Sequence, residues 1–309
     1  MPALRREPAT DVSGNDRPDD GRRLGAALAV TLGVVVLELV AGLVAHSLAL
    51  VSDAGHVLAD AVALGGSIWA VRLARRPSTP SMSYGLKRAE ILAAAANGVV
   101  LAAVAVGVAV GAVERLAHPV GVDGPLVIGA AAVALCANLV AARVLAGTAG
   151  RSMNVRAALL HVAADAAADL AALVAGVLVV TLRWHRADPV ASLVVVAILC
   201  RGAWTLLRAA GHVLLEGTPE AVDLDQVRRH LEGHDEVLAV HDLHAWTLTS
   251  DAPALTAHVV VRDACFADGS VPSLLDRLQA CLADHFDVEH STFQLEAASH
   301  VDHEEGTHA

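Results

Sequence analysis

The sequence predicts a membrane domain of six transmembrane helices followed by a cytoplasmic α+β domain. Three observations carry this expectation. Six apolar stretches, at 24–45, 48–72, 90–115, 124–146, 156–182 and 189–209, match the about 20 residues that a helix needs to cross a bilayer. Charge is split: residues 1–209 hold 18 Lys+Arg and 14 Asp+Glu, whereas residues 210–309 hold 4 and 19. Past residue 213 the apolar runs give way to short helical and alternating patterns. Over all 309 residues, 55% are hydrophobic and 18% charged, with a mean hydropathy of +0.54. That excludes a disordered chain, a disulfide scaffold and a collagen-like repeat.

Taken in order, residues 1–23 read as a cytoplasmic N-terminal tail and 24–210 as the six-helix domain. Residues 1–23 show no short apolar run ending at a small-residue cleavage site, so no cleaved signal peptide is expected. Pro77, Ser78, Thr79 and Pro80 separate the second and third spans, the stretch from His118 to Pro125 separates the third and fourth, and Asp188-Pro189 opens the sixth. Arg and Lys crowd the N-terminal tail, the second and fourth connections and the end of the sixth span. These sites share one side of a six-span topology, so both termini are expected in the cytoplasm, in the plasma membrane. Arg115, Arg183 and Arg186 run against the rule.

Residues 213–297 read helix (223–231), strand (237–249), turn (250–253), strand (254–262), helix (271–286), strand (288–297). This order fits a small ferredoxin-like sandwich, and 298–309 form an acidic, His-containing tail. A domain this acidic does not suit nucleic acid, but it suits divalent cations, as does the placement of 11 of the 16 His after residue 210. Cys136, Cys200, Cys265 and Cys281 stand far apart and read as reduced filler.

Ionisable groups within apolar spans are costly and mark sites by default. In the second span His56 and Asp60 stand four apart, on one helix face; in the fifth, His161 and Asp165 repeat the spacing and Asp169 continues that face. Two imidazoles and two carboxylates form a tetrahedral N/O donor set that suits Zn²⁺. The alternative is an internal hydrogen-bonded pair on each helix, and its occurrence on two spans disfavours it. Glu38, Asn97 and Asn138 are read as packing groups that hydrogen-bond between helices, and Asp53 as a group at the mouth of a cavity or a helix cap, with packing favoured over ligation for each. In the soluble part His241, His258 and His290 fall on three different predicted strands; they could converge on a metal, although spacing alone favours ordinary exposed histidines over ligands. Two rival functions stay open, a membrane metalloenzyme and a non-transporting zinc sensor or scaffold. The first lacks a motif such as HExxH, and the second has no need of ligands inside a bilayer.

The run from Ser47 through Asp53 to His56, with Asp60, resembles the second-span signature of the cation diffusion facilitators, and Asn154-Val155-Arg156 leading to His161 and Asp165 resembles their fifth-span signature. Leu214 to Pro219 and His241 to Trp246 are similar to the family's entry to its cytoplasmic domain. The resemblance implies a homodimeric Zn²⁺ exporter, not an enzyme, coupled to proton influx, with His56, Asp60, His161 and Asp165 as transport site in the zinc-preferring form. It also implies His241, His258 and His290 as cytoplasmic zinc ligands, with Glu296 a weaker match, so that Zn²⁺ is both substrate and regulatory ligand. Thr79, Met82 and Leu86 stand where some members carry further ligands, so that site is expected to be absent. Asp169 takes a secondary role. Arg88 and Glu216 are expected to form an ion pair between the bundle and the cytoplasmic domain, partly screened from water near the headgroups; lipid anchoring by Arg88 is the alternative.

Overall fold

The computed structural model describes residues 33–146, 153–249, 252–286, 288 and 290–300. The expected N-terminal tail, the start of the first span and the end of the acidic tail lie outside the described residues, as do the side chains of 153–158, 160 and 161. The chain forms two compact units, Met1–Leu58 with Gly107–Val196, and Ala59–Val106 with Ala197–Ala309.

Long apolar helices dominate both. They are α1, described over Gly33–Val44, α2 (Leu48–Ala74), α3 (Ala89–Ala117), α4 (Gly124–Ala146), α5 (Met153–Leu182) and α6 (Ala187–Leu214). Five of them are long and apolar enough to span a membrane, and the described part of α1 is shorter. At 27 residues α2 extends about 40 Å, more than a hydrocarbon core is thick. Polarity is inverted relative to a water-soluble bundle: Glu38, Asp53, His56, Asp165, Asp169 and Asp188 are buried, while Val40, Trp69, Val110, Leu139, Leu182 and Trp204 are exposed.

In the first unit the helices meet through small residues. Ala130, Ala131, Ala172 and Ala175 fill the α4–α5 seam, and a Cβ on Gly176 would lie 2.9 Å from Ile128 Cγ1. Without a hydrophobic drive between helices in lipid, such close approach is what gains dispersion energy. The N-terminus of α2 is capped from a distance: Ser47 Oγ donates to Asp188 Oδ1 at 2.5 Å and Leu48 N donates to Asp188 Oδ2 at 2.7 Å. Arg115 Nη1 lies 3.8 Å from the same carboxylate, and Arg186 Nε donates to Leu116 O at 3.0 Å. Two of the three arginines that oppose the charge rule are thus bound to protein groups, which explains their position.

The second unit carries the C-terminal α+β domain: α7 (Leu224–Glu232), β1 (Val237–Thr249), β2 (Ala252–Val261), α8 (Ala264–Asp268), α9 (Val271–Phe286) and β3 (His290–Ala297). Asp223 caps α7, its side chain accepting from Asp225 N and Gln226 N. The sheet order is β1-β2-β3, with β1 and β2 antiparallel and β2 and β3 parallel. A parallel pair requires a crossover, which α8 and α9 supply. Val227 and Leu231 of α7 and Leu274, Leu278 and Leu282 of α9 bury one helical face each against Leu255, Ala257 and Val259. The short helix α8 was not expected from the pattern, and β2 begins at Ala252, inside the expected turn.

Candidate functional site

His56 and Asp165 meet in the first unit. The apolar face of α2 and that of α5 carry them inward, and His56 Nε2 lies 3.6 Å from Asp165 Oδ1, with the residues only 7% and 8% exposed. Asp60 follows His56 by one turn of α2 and is half-buried; by sequence it falls in the second unit. His161 precedes Asp165 by one turn of α5, and its side chain lies outside the described residues. A buried imidazole beside a buried carboxylate offers one nitrogen and one oxygen donor, the pairing that a borderline divalent ion takes.

A second group lies on the same faces. Glu38 of α1, Asp53 of α2 and Asp169 of α5 bring one oxygen each to within 4.8 Å of one another, and the residues are 1%, 3% and 1% exposed. Asn138 Nδ2 of α4 donates to Asp169 Oδ2 at 2.8 Å. The sequence reading gave Glu38 and Asp53 packing roles and missed their convergence. The signal was the spacing: Asp53 precedes His56 by three residues and Asp169 follows Asp165 by four, each one turn along the same face.

In the C-terminal domain the sheet register sets His241 opposite His258, and Val260 opposite Glu296. His241 Nε2 lies 3.2 Å from Glu296 Oε2 and His258 Nδ1 lies 2.7 Å from Glu296 Oε1. Gln294 Nε2 also donates to Glu296 Oε1, at 2.8 Å, and Glu296 is buried. His241, His258 and Glu296 offer three donor atoms within 4.8 Å of one another. Asp242, which the sequence reading did not single out, is a fourth candidate, its Oδ2 3.6 Å from His258 Nε2. The register shifts between His241 and His244, and Asp242 has φ +48°. Such a bulge turns a side chain out of strict alternation, so period-2 counting does not find it.

His290 is not brought to this group, contrary to the expectation of three converging histidines. It opens β3 opposite Ala254, exposed, with its ring edge-on to Tyr84 at 5.8 Å. Six residues separate it from Glu296, about 20 Å along a strand. Arg88 Nη2 donates to Glu216 Oε1 at 3.0 Å, within the second unit. The two side chains are 36% and 62% exposed, so the pair is less screened from water than its expected place near the headgroups suggested.

Residues 24–215 match the family described as cation efflux transmembrane domain, and residues 219–298 match the cation efflux protein cytoplasmic domain. Zinc transporter ZitB of Escherichia coli is 36% identical over 283 residues, covering 90% of this chain and 89% of that protein. A cadmium, cobalt and zinc/H(+)-K(+) antiporter of Bacillus subtilis is 33% identical over 270 residues, covering 87% and 86%. Metal cation efflux system protein CzcD of Cupriavidus metallidurans is 35% identical over 285 residues, covering 92% and 89%. Inverted polarity, the buried donors and these matches agree: the chain is an integral membrane protein and a metal-cation transporter rather than an enzyme, and it belongs to the cation efflux family, the cation diffusion facilitators.

Proposed function

We propose that this chain exports Zn²⁺ from the cytoplasm in exchange for protons, by alternating access, at a site formed by His56, Asp60, His161 and Asp165. The observation that carries the reading is the buried His56–Asp165 approach at 3.6 Å, on two apolar helices that each repeat the HxxxD spacing. Zinc in the printed names of two of these relatives supports the choice of metal, and the antiporter name of the Bacillus protein supports proton exchange. Zn²⁺ enters while the imidazoles are neutral and the carboxylates ionised, since protonated ligands cannot hold it. After the site turns outward, protons from the far side compete at His56 and His161, because an imidazole nitrogen holds either a proton or a metal ion. Zn²⁺ leaves, and the protonated site returns.

The charge asymmetry of the connections supports cytoplasmic termini in the plasma membrane, with 1–23, 24–210, 213–297 and 298–309 as tail, bundle, cytoplasmic domain and tail. The match of residues 219–298 to the cytoplasmic domain of cation efflux proteins supports a homodimer. His241, His258 and Glu296, with Asp242 nearby, have the donor chemistry to hold a regulatory zinc; His290 has no part in this group. Arg88 and Glu216 tie the start of α3 to the end of α6, and Asp169 acts in support of the transport site rather than as a ligand.

The test is zinc-selective fluorescence in proteoliposomes with an imposed pH gradient. Zinc flux should follow the gradient and vanish in His56→Ala. Flux that ignores the gradient overturns antiport, and normal flux in His56→Ala overturns the site.

A further inference from the structure

The buried Glu38–Asp53–Asp169 group takes no step in that cycle, although Asp169 supports its site. Three carboxylates with oxygens within 4.8 Å of one another, inside apolar helices, cannot all carry charge; like charges so close share protons. Among the described residues no Lys or Arg pairs with any of them, and the neutral amide of Asn138 is the hydrogen-bond donor to Asp169. Glu38, 1% exposed, comes from a third helix into the Asp53–Asp169 pair, and its Oε1 meets no hydrogen-bond partner. Asp53 Oδ1 and Asp169 Oδ1 are equally without one. Three buried carboxyl groups with oxygens within 4.8 Å of one another favour a bound positive charge, and a proton is the one that needs no further donors.

The placement gives this group a task. Asp53 stands three residues before His56 and Asp169 four residues after Asp165, about 4.5 and about 6 Å along their helix axes. Beyond its own members, the ionisable group close enough to act on Asp53 and Asp169 is Asp165 of α5. A divalent charge arriving between His56 and Asp165 favours ionisation of carboxyls one turn away, because these groups are buried and the field between them is weakly screened.

We propose that Glu38, Asp53 and Asp169 form a proton-holding site that gives up a proton when Zn²⁺ occupies the His56–Asp165 site one helical turn away, and regains it when Zn²⁺ leaves. The inference rests on the zinc reading above. It places part of the proton exchange on groups that never touch the metal, so coupling runs through charge rather than through competition for ligand atoms.

The experiment counts protons released per Zn²⁺ bound by the full chain in detergent and weak buffer. Glu38→Gln, Asp53→Asn and Asp169→Asn should bind as many zinc ions per protomer as the parent chain and release up to about one proton fewer per zinc. Their zinc affinity should correspondingly vary with pH by up to about tenfold less per unit. The same proton count in all three variants overturns the proposal, because the group then keeps its protons throughout. Loss of one zinc per protomer also overturns it, because the group is then a metal site. A second measurement needs no variant: a hydrophobic carbodiimide, which reacts with protonated buried carboxyls, should label Glu38, Asp53 or Asp169 without Zn²⁺ and label them much less at saturating Zn²⁺, read by mass spectrometry. Equal labelling in both conditions overturns the proposal. A His56→Ala control separates this from failure of the zinc reading itself: if that variant binds zinc and releases protons like the parent chain, the transport-site assignment is what has failed.

Discussion

In the proposed transport site, shortening Asp165 to Ala removes an oxygen donor, whereas the helix around it gains in helix propensity. Asp165→Ala and Asp60→Ala should therefore abolish zinc flux in proteoliposomes while leaving expression and thermal stability in detergent near those of the parent chain; near-normal flux in either would remove that residue from the site. His56→Asp exchanges a nitrogen donor for an oxygen and relaxes a tetrahedral preference. Flux should persist, with the Zn²⁺/Cd²⁺ ratio measurably lowered, and an unchanged ratio argues against ligation by His56. Residues of this kind were legible in the sequence because a charge in an apolar helix stands out and a spacing of four fixes its face. Glu38 stood out equally, but nothing in a single helix tells which neighbours its carboxylate will meet. Asp242 was hidden for a different reason: its direction is set by a bulge, and alternation cannot report a bulge in advance.

Elements were legible to within a few residues where the hydrophobic period was long. The helix bounds Gly124–Ala146 and Val271–Phe286 coincide with the expected ones, since turn residues flank both. The parallel β2–β3 pairing was implied by the α9 crossover, whereas the register that separates His290 from Glu296 depends on sheet packing that no local pattern encodes. Among the connections, Gly217 is decisive: a Cβ there would collide with the His212 ring, and the same ring bonds Thr218 O at 2.8 Å. Gly217→Ala should displace that ring and loosen the exit from α6, lowering the melting temperature in detergent, while Gly211→Ala, where a Cβ meets nothing within 4 Å, should be neutral or slightly stabilising. In the C-terminal core Leu278→Ala removes a fully buried side chain between α9 and the sheet and should cost about 2–5 kcal/mol; denaturant unfolding of the full chain, followed by protease resistance of residues 219–298, would read it.

For the molecule as a whole, the exposed Arg88–Glu216 pair contributes little to stability, at most about 1 kcal/mol. Its value is positional, and Arg88→Glu should slow transport without shifting the melting temperature. Adding Glu216→Arg should recover part of the rate; no recovery leaves lipid anchoring as the role of Arg88. Glu216 has φ +59°, so Glu216→Asn, which tolerates that backbone, isolates the charge from the conformation. The remote cap on α2 bears on biogenesis. Leu48 and the carboxylate that receives its N–H are 140 residues apart in the chain. At ordinary elongation rates the ribosome reaches Asp188 on the order of ten seconds after Leu48. Until then the turn into α2 lacks its cap, so that end of the helix is sealed only when the last span arrives. A nascent chain arrested before residue 187 should leave a cysteine placed at position 48 open to a water-soluble maleimide, and one arrested well beyond residue 214 should protect it.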